Sequence, residues 1–165
     1  MGGLRQPAGM LEVRPSVDAD GPWLRRLQDE HWGGHGQVAN GERYRPADLP
    51  GFVAQIGSER VGYAALRVVD GVAWIGIIQS LHKREGIGSA LVRALIDEAR
   101  AAGCGSLRAI TTNDNVGAQA FYAHLRFRVR EIRPGAVNES RKLKPSISLE
   151  SEDGIAITDE IEYEL

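Results

Sequence analysis

Cysteine is almost absent from this 165-residue sequence: Cys104 stands alone, which excludes an internal disulfide framework and fits a reducing compartment. Neither sign of charge is in excess. Twenty Lys and Arg against 22 Asp and Glu give a formal net charge of −2, which points away from nucleic acid and anionic membrane partners. No apolar run approaches the roughly 20 residues that cross a bilayer. The opening Met1-Gly2-Gly3-Leu4-Arg5-Gln6-Pro7-Ala8-Gly9 lacks the apolar segment of a secretory signal. Internal repeats, low-complexity tracts and an interdomain linker are missing too. What is present suits one globular domain: 42% hydrophobic and 25% charged residues. The expectation is a soluble cytoplasmic protein, with residues 1–9 as a flexible extension and 10–165 as a single domain.

Periodicity predicts an α+β chain. A short strand over 10–15 leads to a helix from about Ala19 to Glu30, capped by Ser16 or Asp18, with Trp23, Leu24 and Leu27 on one face. Residues 31–50 read as a long polar connection, a length that is often functional. Strands over 52–56, 61–69 and 72–81 are joined by short turns, one of them the hairpin signal Asp70-Gly71, so they are antiparallel neighbours. A helix follows from Gly86 to about Ala102, with Ile87, Leu91 and Leu95 buried and Gly103 beyond its end. That intervening helix makes the next strand, 107–111, parallel to 72–81. A second helix opens at Asn115 and a strand covers 127–132. A solvated basic loop carries Arg141, Lys142 and Lys144. The last strand, 155–165, is expected to turn its odd positions inward and Glu160, Glu162 and Glu164 to water.

The chemistry concentrates where the 72–81 strand ends. A turn bearing Lys83, Arg84, Gly86 and Gly88 runs straight into an amphipathic helix. A helix N-terminus offers unpaired N–H groups and partial positive charge, and the glycines let backbone approach a bulky anion, so the segment reads as a pyrophosphate cradle or, taken alone, as an ordinary turn and helix start. Two other phosphate motifs are excluded. No Lys-Ser or Lys-Thr follows the glycines, and Leu91 stands where a dinucleotide fingerprint needs its third glycine.

Lys83-x-x-Gly86-x-Gly88 resembles the Gln/Arg-x-x-Gly-x-Gly/Ala motif of the GNAT superfamily of N-acetyltransferases. The segment from Asn115 through Phe121-Tyr122 to Arg126-Phe127 is similar to that superfamily's second motif, with Arg126 in place of a glycine. The resemblance implies a mixed, mostly antiparallel sheet of six to seven strands flanked by about four helices, its two central parallel strands splayed for CoA. It implies that the backbone of Gly76, Ile77 and Ile78 binds the pantetheine arm and the acetyl carbonyl. It further implies that Lys83, Arg84, Glu85, Gly86, Ile87, Gly88 and Ser89 hold the pyrophosphate, that Asn115 orients pantetheine or the helix start, and that Tyr122 sits beside the sulfur. The residues agree: a departing thiolate of pKa about 8.5 suits a nearby phenol as proton donor, and Gly76 in an apolar strand fits a bulge.

An acceptor ammonium of pKa near 10 must lose a proton before attack, yet the two central strands carry no glutamate. The base is therefore water or a residue from elsewhere, and Asp159 is the candidate because it interrupts the odd-numbered apolar face of the last strand. By resemblance the 31–50 connection lies beside the acceptor, so Trp32 and His35 are expected near substrate. His31 and His35 are four apart, but Gly33 and Gly34 break the helix between them, and no metal is expected. Three functions stand: acetyl transfer from acetyl-CoA to a small amine, amino acid, drug-like amine or peptide terminus; a non-catalytic acyl-CoA-binding module; or an enzyme using a longer acyl-CoA. A homodimer pairing through the final strand is a further expectation.

Overall fold

The computed structural model describes residues 9–32, 36–82 and 86–165. In chain order they form β1 (Leu11–Pro15), α1 (Gly21–His31), β2 (Gln37–Ala39), β3 (Glu42–Tyr44), β4 (Gly51–Ile56), β5 (Glu59–Val69) and β6 (Val72–Ser80). There follow α2 (Ile87–Ala101), β7 (Leu107–Thr112), α3 (Val116–His124), β8 (Arg128–Arg133), α4 (Ala136–Leu143) and β9 (Glu160–Glu164). Strands β4, β5 and β6 make the antiparallel meander that their short turns demand. Asp70 and Gly71 both take positive φ, 50° and 77°, the twist a two-residue hairpin needs. The seven-stranded sheet has the order β1-β4-β5-β6-β7-β9-β8, and β6–β7 is its parallel pair among the described residues. The fold is thus mixed α+β with a mostly antiparallel sheet, as expected.

Helices cover both faces of the sheet. On one, Ile87, Leu91, Val92, Leu95 and Ala99 of α2 and Tyr122 of α3 pack onto Ala64, Leu66, Ala73 and Ile75. On the other, Leu24 and Leu27 of α1 join Trp32, Val53, Tyr63 and Ala65. Each Leu, Ile or Val so buried contributes about 1.5–3 kcal/mol before entropy is charged against it. An ionic lock ties α1's start to the sheet. Asp20, fully buried, accepts two hydrogen bonds from Arg14 of β1, one from Arg60 of β5 and one from the Val17 amide, all at 2.8 Å.

Three expectations need correction. The 31–50 connection contains the β2–β3 hairpin and a 3-10 turn at Pro46–Asp48. The basic loop contains α4, where Arg141 donates to the Ile147, Ser148 and Ile157 carbonyls and Lys144 to the Gly36 carbonyl, so these cations brace the chain. The final strand is only five residues long, and Ile155 and Leu165 are exposed. Glu160 and Glu162 are buried, because β9 lies between β7 and β8 and its even face meets Arg130 and Arg133. With a neighbour on each side, β9 has no free edge for pairing across a dimer.

Candidate active-site cleft

The centre of the sheet is split. Parallel pairing of β6 with β7 covers only Ala73–Leu107 and Trp74–Arg108, after which the strands diverge. The divergence begins at Gly76. Ala65 of β5 faces Ile77 while Leu66 faces Ile75, so Gly76 is the extra residue of a bulge, as its place in the strand predicted. A Cβ there would come within 2.6 Å of Leu49 and 3.6 Å of the Tyr44 ring. Tyr44 instead donates its hydroxyl to the Gly76 carbonyl at 2.6 Å.

A cavity of about 400 Å³ occupies the split. Gly76, Ile77 and Ile78 of β6, Ile110 to Thr112 of β7, Asn115 and Tyr122 form its inner wall. Gln37, Asn40, Glu42 and Tyr44 of the hairpin, Arg67 and Trp74, and Val137 and Ser140 of α4 enclose the outer end, with Glu160 between. Asn115 caps α3 by accepting from the Ala118 amide at 3.0 Å. Gly86, at φ 71°, is the N-cap of α2 and gives it no side-chain cap. The first helical bond among the described residues is Ala90 N–H to Gly86 C=O, 3.0 Å; the Ile87, Gly88 and Ser89 amides lie in the first turn, where an α-helix leaves N–H groups without intrahelical partners. Gly88 has a second role: a Cβ on it would lie 2.9 Å from the Phe121 ring, so its smallness seats α2 against α3.

Burial governs the phenols. Tyr122, 5% exposed and ringed by Phe121, Phe127 and Tyr163 at 5.2–5.4 Å, is pushed well above its ordinary value, chiefly by burial and then by Tyr44 and Tyr163. Tyr44 is pushed up to about 12 by burial and by the charge of Glu160. Both stay protonated donors at neutral pH. Glu160, 4% exposed, accepts the Asn40 amide at 3.2 Å and has Arg133 at 3.6 Å. Two nitrogens of that arginine, Nε and Nη2, are buried without a hydrogen-bond partner among the described residues.

Of the residues singled out from sequence, the structure brings Gly76, Ile77, Ile78, Asn115 and Tyr122 together in the cleft and sets Gly86, Ile87, Gly88 and Ser89 at the start of α2. Lys83, Arg84, Glu85 and His35 lie outside the described residues. Asp159 does not line the cleft: its carboxylate accepts the Gly135 amide at 3.0 Å, at the start of α4. Trp32 is also apart from it, 3% exposed among α1 and sheet residues with its ring 5.9 Å from Tyr63. Sequence reasoning missed Glu160, Tyr44, Arg67 and Glu42. Glu160 was hidden by the assumption that one face of the last strand meets water; the others sit in a hairpin and a strand end that carry no motif.

Comparison with known proteins shows the family and the fold. The model of the GNAT acetyltransferase family matches residues 14–127. YdhI, an uncharacterised protein of Bacillus subtilis (strain 168), is 35% identical over 153 residues, 92% of this chain and 96% of its own. Among solved structures, an IAA acetyltransferase from Bacillus cereus ATCC 14579 superposes with a TM-score of 0.70 at 20% identity, covering 94% of this chain and 99% of that one. A GNAT family acetyltransferase from Elizabethkingia anophelis with acetyl-CoA bound gives 0.64 at 21% identity, covering 94% and 97%.

Proposed function

Because this chain belongs to the GNAT acetyltransferase family, we propose that it moves an acetyl group from acetyl-CoA to a primary amine held at the outer end of the cleft. The observation that carries the reading is the split between β6 and β7, whose cavity is lined by both Tyr122 and Glu160. The residues present fit the coenzyme. The side of β6 that faces β7 beyond Trp74 has no strand partner and suits a pantetheine arm at Ile77 and Ile78, and the first-turn amides of Ile87, Gly88 and Ser89 suit a diphosphate. When bound, acetyl-CoA supplies an activated thioester.

The chain's own groups then have distinct tasks. The open edge of β6 supplies fixed N–H donors toward a developing oxyanion. Glu160 faces the acceptor ammonium and receives its proton, the base that the two central strands lack. Tyr122 holds a proton toward the leaving sulfur. Its raised affinity for that proton, against about 8.5 for a thiol, makes it a hydrogen-bond donor first and a proton source second. Asp159, bound to the Gly135 amide, is replaced by Glu160 as the base in this mechanism.

Thiol release from acetyl-CoA across a panel of amines tests the proposal. Glu160→Gln, which can still accept from Asn40, and Tyr122→Phe should each lower kcat/KM by about 10²-fold or more while acetyl-CoA binding persists. Tight acetyl-CoA binding with no turnover on any amine would leave a binding module and overturn the assignment.

A further inference from the structure

Among the described residues, three charged side chains line the cleft: Glu42, Arg67 and Glu160. Arg67 extends from β5 beside Trp74, its partner in the ladder, and its guanidinium lies over the Tyr44 ring, 4.9 Å from the centroid. Its ion-pair partner is Glu42 on β3. The two are unequal. The Arg67 side chain is 18% exposed and held against an aromatic face, whereas Glu42 is 55% exposed. A guanidinium so fixed is pre-organised for a planar anion, and a carboxylate that keeps much of its hydration is readily exchanged for another.

Tyr44 ties this pair to the split. Its hydroxyl reaches the Gly76 carbonyl at the bulge, and Glu160 is near enough for its charge to act on the same phenol. A cation thus lies over the Tyr44 ring and a buried anion lies near its hydroxyl. With Glu42 in place the lining carries one net negative charge. With Glu42 displaced by a ligand carboxylate, Arg67 and Glu160 match a zwitterion.

Resting on the amine-acetylation reading above, we propose that the acceptor is a small amino acid, an amine that also bears a carboxylate. Arg67 receives the carboxylate in exchange for Glu42, and Glu160 faces the ammonium. Arg67 is then the residue that sets acceptor specificity.

Matched pairs test this: free amino acids against the amines left when their carboxylate is removed, assayed by CoA release and by thermal stabilisation of the CoA-loaded chain. In the preferred pair the amino acid should lead by about tenfold or more in kcat/KM. Arg67→Met should collapse that ratio toward one. Glu42→Gln should lower KM for the amino acid relative to that for the plain amine; a purely structural clamp would instead weaken both partners alike. Equal or better use of the plain amine in every pair, or equal losses for both members in Arg67→Met, overturns the inference while leaving amine acetylation intact. Absence of CoA release and of stabilisation with every compound removes both.

Discussion

Arg126 stands where α3 gives way to β8, at φ 68°, a region that disfavours residues with a Cβ. Its amide donates to the Ala123 carbonyl and the next, Phe127, to the Tyr122 carbonyl, each at 3.0 Å. The turn therefore fixes both Tyr122 and the Phe127 ring beside it, and the chain accepts local strain to make it. Arg126→Gly removes the Cβ conflict and adds some unfolded-state entropy. The net expectation is a gain of about 0.5–1 kcal/mol, read as a higher urea midpoint at unchanged slope. This position also shows why a motif survives a substitution: the backbone requirement is met by an arginine at a cost smaller than the turn's value.

At the scale of elements, the Asp20 lock joins β1, α1 and β5. Paired with Arg14 first, and also with Val17 N–H and Arg60, the Asp20 carboxyl is held far below its ordinary 3.8 despite its burial. A group whose folded-state pKa is depressed stabilises above its unfolded pKa, and that contribution is lost as pH falls through the folded value. The wild type should therefore lose stability progressively below about pH 4. Asp20→Asn should be less stable by about 3 kcal/mol at pH 7 and show a shallower acid slope in thermal melts at pH 2–5. Elements with a strong internal period were legible in the sequence. The β4–β5–β6 meander, α2 with its stripe of Ile87, Leu91 and Leu95, and the Asn115 cap of α3 all fall within a residue or two of expectation. Helix α4 was not, because in eight residues it buries only Val137 and Ser140 and its start is set by distant partners, Thr158 and Asp159. Strand β9 misled for a related reason. Alternation of Glu with apolar residues implies a solvated face only at a sheet surface, and here that face holds Arg130, Arg133 and the cleft. The inner half of the cleft was thus readable from Gly76 and Tyr122, and the outer half was not, since tertiary folding alone brings Glu42, Arg67 and Glu160 to one cavity.

Over the whole molecule, the split leaves hydrogen-bonding capacity at the middle of the sheet, which the proposed function assigns to the coenzyme. Acetyl-CoA at a hundred times its Kd should stabilise the chain by about 2.7 kcal/mol, raising Tm by about 5–10 °C in a calorimetric scan. Gly76→Ala, which drives a methyl into Leu49, should reduce that gain by weakening the bulge. The same split divides the covalent chain as cleanly as it divides the sheet. One leaf, β1-β4-β5-β6, comes wholly from residues 11–80, and the other, β7-β9-β8, wholly from residues 107–164, with α2 as the single tether. A ligand lodged in the seam acts on the molecule as a rivet between two leaves. A cut just past α2, near Gly103, would yield two fragments whose reunion reports on whether the rivet is in place.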